Sequence, residues 1–263
     1  MKRIAHGLAA LVVAFGTMAA TAADIHVMIS AAFFGVYSEL LPEFEKATGH
    51  HVITVRGPSI GDSPEAIPTR LARGEPADMA ILDGAAADDL ARKGLAKGDT
   101  KVTLAKSLIG MVVREGAPKP DISTVDAFKK TLLDAKSIAY SDSGSGTYLS
   151  TKLFQQMGVA DQVMPKSRKV RGPPSGEQVA AVIARGEAEI GFQQVSELIH
   201  TPGVTVVGPI PAELQPGFTF AGVIAAKAKE EAAAKELIQY LAAPRTAALK
   251  ERMGLAPPDE AKR

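Results

Sequence analysis

The sequence contains no cysteine and no tryptophan, and aromatic residues make up only 5% of its 263 residues. Without cysteine, neither a disulfide scaffold nor a lipid anchor attached through cysteine is available. The scarcity of aromatic residues also disfavours a ring-lined groove for polysaccharides. Hydrophobic residues make up 46% of the chain, and the abundance of Ala, Gly, Val and Ile suits alternating strands and helices.

A surplus of charge is missing as well, because 30 basic residues are balanced by 29 acidic ones. A near-neutral surface has no basic excess to hold nucleic acid or anionic lipid. We therefore expect no nucleic-acid partner, and any ligand must be recognised locally by a few side chains.

The N-terminus has the features of a secretory signal peptide. Lys2 and Arg3 precede an apolar run from Ile4 to Met18, and small residues follow at Ala20-Thr21-Ala22. A membrane-spanning helix is the alternative, but the run has roughly 15 residues where a span needs about 20. We expect residues 1–23 to be removed, with cleavage near residue 22 or 23, and a soluble periplasmic protein.

Strand-like and helix-like segments alternate through the rest of the chain. Ile25–Ile29, Val52–Val55 and Met79–Leu82 are short apolar runs, and each is followed by a segment with helical spacing. A second cycle of the same kind begins at Leu108. This alternation predicts an α/β fold with mainly parallel sheets flanked by helices.

Five loops should follow the carboxyl ends of the strands, which is where parallel α/β sheets bind ligands. Their glycines allow close backbone approach, and their hydroxyl and amide groups, with the free N–H groups of the next helix, favour an anion. In any single loop these are also ordinary turn and cap residues, and Ser175 with Gln178 matches a helix capping box. The candidate ligand-binding residues are Ser30, Ala31, Ala32, Arg56, Ser59, Ser63, Ser143, Gly144, Ser145, Gly146, Thr147, Arg171, Ser175, Gln193 and Gln194.

Two of these loops begin with arginine, at Arg56 and Arg171. A guanidinium presents a planar fork of donors that matches a carboxylate or a pair of phosphate oxygens. These residues are the leading anion ligands, although each could instead pair with a surface carboxylate.

No catalytic motif stands out. Gly144-Ser145-Gly146 lacks the spacing of a nucleophile elbow, and no P-loop or metal-binding histidine pair is present. Asp78 and Asp83, with Asp88 and Asp89, could supply a carboxylate pair, but no base or metal ligand accompanies them. We therefore expect a binding protein and not an enzyme, with no cofactor and no metal.

Several stretches together resemble the periplasmic molybdate-binding proteins of ATP-driven importers. The similarity runs in order over nearly the whole mature chain, through Glu43–Val52, Leu71–Met79, Ala91–Leu95, Gly186–Gly191 and Val206–Pro211. It implies a class II solute-binding fold of two lobes that close on a ligand. A membrane permease with its cytoplasmic ATPase would be the partner, and the protein itself would be a monomer.

The same resemblance implies lobe I from residues 24–105 and 212–263, and lobe II from 106–211. The family holds its oxyanion with two serines and a tyrosine. Ala32 takes the position of the first serine, Ser59 or Ser63 that of the second, and Gln193 or Gln194 that of the tyrosine.

With two arginines and a longer loop, these replacements favour a small organic di- or tricarboxylate over molybdate or tungstate. The alternatives from other classes are a ligand-sensing partner of a membrane receptor and a secreted α/β enzyme.

Overall fold

The computed structural model describes residues 22–258, which form an α/β protein with two sheets. The predicted signal peptide lies outside the described residues, apart from its last two positions. The strands are β1 (Asp24–Ile29), β2 (His51–Arg56), β3 (Met79–Asp83), β4 (Ala96–Ser107), β5 (Ile109–Arg114), β6 (Ile138–Ser141), β7 (Ser167–Val170), β8 (Ile190–Gln194), β9 (Val204–Pro209), β10 (Thr219–Ala225) and β11 (Leu255–Ala256).

Helices cover both faces of the sheets. The helices are α1 (Ala31–Thr48), α2 (Ile67–Ala72), α3 (Gly84–Arg92), α4 (Val125–Asp134), α5 (Gly144–Tyr148), α6 (Phe154–Gln156), α7 (Ala160–Val163), α8 (Val179–Ala184), α9 (Val195–Leu198), α10 (Glu231–Ala242) and α11 (Ala247–Arg252). Among the described residues, no helix has the length and apolar content needed to cross a membrane.

Helix α1 shows how the sequence pattern produces the local structure. It buries Phe33, Val36 and Phe44 on one face, as the helical spacing of its apolar residues predicts. It ends at Gly49, which adopts a left-handed conformation with φ of 75° and donates its N–H to the carbonyl of Glu45. Glycine suits this position because it has no Cβ to clash there.

The first sheet has the strand order β11-β4-β10-β3-β1-β2. Its strands β2, β1 and β3 run parallel, whereas β10, β4 and β11 are added antiparallel. Apolar clusters pack on its two faces, one around Ile25 and Phe44 and the other around Leu82 and Leu90.

The second sheet has the order β7-β6-β8-β5-β9. Here β7, β6 and β8 are parallel, and β5 and β9 are antiparallel. The two-lobed α/β fold is confirmed, but each sheet is mixed, with a parallel group of three strands extended by antiparallel ones. The carboxyl ends of these parallel groups carry the loops of interest.

The chain passes between the sheets twice, at Leu108 and through residues 210–218. One side chain ties the two crossings together. Gln215 accepts a hydrogen bond from the N–H of Ile109 through Oε1 at 2.9 Å, and its Nε2 donates to the carbonyls of Ile109 and Ile210 at 2.9 and 3.1 Å. The predicted lobe limits lie close to these crossings and stay a prediction to the residue.

The capping box predicted at Ser175 and Gln178 is wrong. Helix α8 begins at Val179, and its N-cap residue Gln178 makes no side-chain capping hydrogen bond. The N–H of Glu177 instead donates to the carbonyl of Arg171 at 2.8 Å. Residues 171–177 therefore close into a loop of their own, which leaves Ser175 exposed and outside the helix.

Candidate functional site

A cleft lies between the lobes, where the carboxyl ends of the two parallel strand groups face each other. It contains about 570 Å³ of empty space, part of which is open to solvent. The cleft is lined by Ser30, Ala31, Ala32, Gly57, Pro58, Ser59, Asp83, Ser141, Asp142, Ser143, Gly144, Gly172, Pro173, Gln193, Gln194, Glu197, Phe218 and Phe220.

The lining includes eight of the fifteen candidate residues, drawn from four of the five predicted loops. These are Ser30, Ala31, Ala32, Ser59, Ser143, Gly144, Gln193 and Gln194. The other candidates, Arg56, Ser63, Ser145, Gly146, Thr147, Arg171 and Ser175, do not line this cleft. The role of each as a ligand stays a prediction.

Ser30 follows β1 and carries a buried hydroxyl group that has no hydrogen-bond partner among the described residues. The residue is 5% exposed. A buried hydroxyl without a partner costs free energy. Its position in the cleft lining makes it an available donor or acceptor for a bound molecule.

Ser59 follows β2 and links that loop to β3. Its Oγ accepts a hydrogen bond from the N–H of Asp83 at 3.1 Å. The hydroxyl hydrogen is therefore still available for donation.

Three hydroxyl groups cluster at the carboxyl end of β6. The Oγ of Ser141 lies 2.8 Å from that of Ser143 and 3.1 Å from that of Ser145. Ser145 is fully buried and supports the cluster from behind. A Cβ on Gly146 would lie 1.7 Å from the carbonyl oxygen of Ser141, so only glycine fits this turn. Gly146 thus allows the start of α5 to pack closely against the end of β6.

The amide groups of Gln193 and Gln194 have fixed orientations. Oε1 of Gln193 accepts from the N–H of Val179 at 2.9 Å, and Oε1 of Gln194 accepts from the hydroxyl of Ser107 at 2.8 Å. Because each amide oxygen is occupied in this way, each NH₂ group must point elsewhere.

The NH₂ group of Gln193 meets a buried carboxyl group. Nε2 donates to Oε1 of Glu197 at 2.7 Å, one helical turn further along the chain. Glu197 is 7% exposed. Burial raises the pKa of Glu197 to about 7, against the opposing effects of the Gln193 hydrogen bond and the positive charge of Arg56, while the negative charge of Asp142 adds to the rise. A carboxyl group with such a pKa exchanges protons near neutral pH.

The other two carboxyl groups of the cleft hold backbone in place. Oδ1 of Asp83 accepts from the N–H groups of Ala85 and Ala86 at the start of α3. Burial raises the pKa of Asp83, and these two hydrogen bonds oppose the rise. Oδ1 of Asp142 accepts from the N–H of Gly172 at 3.0 Å, which joins the loops after β6 and β7.

Arg171 lies at the mouth of the cleft and not in its lining. Its Nη2 is 3.0 Å from Oε2 of Glu65, which belongs to the other lobe. The Arg171 side chain is 57% exposed. Of the two interpretations of this arginine, the structure displays the ion pair with a carboxylate of the protein.

Arg56 occupies a different environment at the end of β2. Its guanidinium carbon lies 4.2 Å from the ring centroid of Phe34, a cation–π contact. Burial lowers the pKa of Arg56, and the negative charge of Glu197 opposes this. Arg56 is thus near enough to the cleft to interact electrostatically with the carboxyl group of Glu197.

Ser141, Asp142 and Glu197 line the cleft but are not among the sequence candidates, and Asp83 was considered only as part of a catalytic carboxylate pair. Asp83 ends β3 and Ser141 ends β6, so their places at strand ends were visible in the sequence. Glu197 had a weaker signal, because it follows Gln193 by one turn in a segment that resembles an ordinary amphipathic helix. Among the described residues, no group of three or more His, Asp or Glu side chains could hold a metal ion.

The sequence matches the bacterial extracellular solute-binding protein family over residues 25–256, and the chain belongs to this family. Among solved structures, it is similar to the periplasmic molybdate-binding protein of Azotobacter vinelandii, with a TM-score of 0.70, 20% identity, and coverage of 89% of this chain and 100% of that one. The sulfate-binding protein SubI of Mycobacterium tuberculosis has a TM-score of 0.68, 19% identity, and coverage of 90% and 88%. These likenesses confirm the class II fold.

Two curated proteins are similar to this chain in sequence. The molybdate-binding protein ModA of Azotobacter vinelandii is 28% identical over 90% of this chain and 93% of its own length, which confirms the resemblance to molybdate-binding proteins. A protein of Pseudomonas sp. named aconitate isomerase is 47% identical over 88% of this chain and 87% of its own length.

The expectation that the protein is not an enzyme is wrong. It is overturned by the second relative, whose name is that of an enzyme. The expectation failed because it relied on motifs of nucleophilic and metal catalysis. An isolated buried carboxyl group such as Glu197 belongs to no such motif, and its environment becomes visible only in the folded chain.

Proposed function

We propose that this protein binds aconitate in the cleft between its lobes and interconverts its cis and trans isomers. The observation that carries the proposal is the 47% identity to a protein named aconitate isomerase, over 88% of this chain. At this identity and coverage, the cleft is expected to share its main features with that relative.

The chemistry of the cleft supports a polycarboxylate ligand. Aconitate is a propene with a carboxylate on each of its carbons, so a site must offer many hydrogen-bond donors. The hydroxyl of Ser30, the amide of Gln194 and the Ser141 to Ser143 hydroxyl pair are available. Arg56 supplies positive charge nearby, and Arg171 at the mouth is a further candidate for contact with a carboxylate.

Isomerisation also suits a site that works by acid–base chemistry alone. Cis and trans aconitate have the same atoms and the same oxidation state. A proton that leaves the methylene carbon and returns to the vinylic carbon moves the double bond, and the conformation about the bond between the central and methylene carbons when the proton leaves sets the geometry of the product. One acid–base group placed beside both carbons is sufficient for this.

The experiment is direct. Purified protein comprising residues 24–263 is incubated with trans-aconitate, and the vinylic proton signals are followed by ¹H NMR. A second sample starts from cis-aconitate. We expect the two samples to reach the same final ratio of cis to trans isomer. Absence of conversion at protein concentrations comparable to the substrate would contradict the proposal. Calorimetric titrations with molybdate and with aconitate then test whether molybdate is the ligand. Binding of molybdate without binding of aconitate would favour the molybdate interpretation.

A second candidate function is favoured by the family match over residues 25–256. The protein would deliver its ligand to a membrane permease with a cytoplasmic ATPase. A receptor of this kind binds aconitate or another anion tightly and leaves it unchanged, so the same NMR experiment separates the two functions.

Export to the periplasm belongs to the proposal under either function. Mass spectrometry of the secreted protein should give an N-terminus at Ala23 or Asp24. Light scattering should give the mass of a monomer. A retained leader would contradict the signal peptide prediction.

A further inference from the structure

Resting on the proposed function, we infer that the carboxyl group of Glu197 is the group that carries the proton during isomerisation. It accepts the proton from the methylene carbon of aconitate and returns it to the vinylic carbon on the other side of the central carbon. Glu197 is thereby assigned as the catalytic base and acid of the cleft.

The reaction balances with this one group. In the first half, the methylene C–H bond breaks, the carboxylate of Glu197 forms an O–H bond, and the electron pair spreads over the three-carbon unit and its carboxylates. In the second half, the O–H bond breaks and a C–H bond forms at the former vinylic carbon. The double bond now joins the central carbon to the former methylene carbon, and Glu197 is again a carboxylate.

The hydrogen bonds around Glu197 leave one oxygen available for this work. Gln193 donates to Oε1 at 2.7 Å, and its orientation is fixed because its own oxygen accepts from the N–H of Val179. Among residues 22–258, no hydrogen bond is made to Oε2 of Glu197. The Gln193 contact can persist whether the carboxyl group is protonated or not, so proton uptake at Oε2 requires no rearrangement.

Comparison with the other carboxyl groups of the cleft singles out Glu197. Asp83 receives two backbone N–H groups at the start of α3, and Asp142 receives that of Gly172. Proton exchange on either would compete with contacts that hold the loops. Glu197 holds no backbone group, lines the cleft and is almost fully buried, which is the environment of a carboxyl group that serves as a base.

The surroundings also favour the carbanion that forms in the first half of the reaction. The hydroxyls of Ser30, Ser141 and Ser143 line the same cleft, and Arg56 contributes a positive charge close enough to act on Glu197. Donors aimed at a developing negative charge stabilise it more strongly in a water-poor cleft than in solution.

The test compares Glu197→Gln with the unchanged protein and with Glu43→Gln, a control on the exposed face of α1. Tricarballylate, the saturated analogue of aconitate, probes the site by calorimetry. We expect Glu197→Gln to lose about 10²-fold to 10⁴-fold in turnover, to bind tricarballylate within about fivefold of the unchanged protein, and Glu43→Gln to keep both properties.

Chemical rescue gives a readout that a merely structural role would not produce. Glu197→Ala should recover part of its turnover when formate is added, in proportion to the formate concentration, because formate replaces the missing carboxyl group.

Turnover of Glu197→Gln within tenfold of the unchanged protein would overturn the assignment and leave the proposed function standing. Loss of tricarballylate binding together with turnover would assign Glu197 to ligand binding and overturn its role in proton transfer. An unchanged protein that does not isomerise aconitate would remove the proposed function itself.

Discussion

Gln193 and Glu197 face each other across one turn, with Nε2 of the amide 2.7 Å from Oε1 of the carboxyl group. The contact places a neutral donor beside a buried acid, and it is the only hydrogen bond to this acid within residues 22–258. A neutral donor stabilises the carboxylate less than a cation at the same distance would. The pair therefore holds Glu197 in position without committing it to the ionised form.

Replacement of Gln193 by Met should raise the pKa of Glu197 further. The hydrogen bond from Gln193 lowers this pKa, and its loss leaves the effect of burial less opposed. A ¹³C NMR titration of the Glu197 carboxyl carbon would measure the shift without reference to catalysis. Gln155→Met, on the exposed face of α6, serves as the control. A downward shift would contradict the account of this pair.

Glu197→Gln should stabilise the fold at high pH and not at low pH. The folded-state pKa of Glu197 is about 7 against an ordinary value of 4.5, so its folded state binds the proton more strongly than its unfolded state. The unchanged protein thus loses stability as pH rises from about 4.5 to 7, by roughly 3 kcal/mol at about 1.4 kcal/mol per pKa unit. Glutamine cannot ionise and escapes this loss.

Urea unfolding at pH 4.5, 6 and 8 checks this expectation. The stability difference between Glu197→Gln and the unchanged protein should grow with pH and level off above about pH 7. Glu43→Gln provides the surface control. A difference that stays constant over this range would mean that Glu197 titrates normally.

Disruption of the Arg171 to Glu65 ion pair should weaken ligand binding. The pair joins the two lobes at the mouth of the cleft, so its loss favours their separation. We expect Arg171→Ala and Glu65→Gln to reduce affinity for tricarballylate to a similar extent, and the double variant to add little more. Calorimetry of the four proteins measures this. Tighter binding by Glu65→Gln would show that Glu65 competes with the ligand for the Arg171 guanidinium.

Gly146→Ala should destabilise the protein strongly, whereas Gly144→Ala should not. The new Cβ would lie 1.7 Å from a backbone oxygen at Gly146 but 3.6 Å from the ring of Phe218 at Gly144. Overpacking against backbone costs about 1 to 3 kcal/mol, or roughly 2 to 12 °C in melting temperature for a protein of this size. Thermal unfolding of both variants provides the comparison. Equal melting temperatures would contradict the packing described for this turn.

Much of the architecture could be predicted because it depends on local patterns. The spacing of Val36, Leu40 and Phe44 predicts α1, and Gly49 predicts its end. The strand β4 was missed because Ala96–Ser107 is rich in charged and small residues; its pairing with β10 and β11 comes from distant parts of the chain. Sheet direction depends on such distant pairings, so the mixed sheets could not be read from the sequence.

In the site, too, the residues set by local sequence patterns could be predicted, and those brought together by distant parts of the chain could not. Ser30 and Ser59 were predictable because they follow strands, and Gln193 because it lies at the carboxyl end of β8. Glu65 and Arg171 lie 106 positions apart, and nothing local connects them. Glu197 looks like a solvated helix residue in sequence, and only the fold reveals that its carboxyl group has lost most of its contact with water.

The amide of Gln215 joins Ile109 to Ile210, one residue from each of the two crossings between the sheets. Because one side chain connects both crossings, we expect the two crossings to move together. A ligand that draws the lobes together should then rotate them about an axis near Gln215.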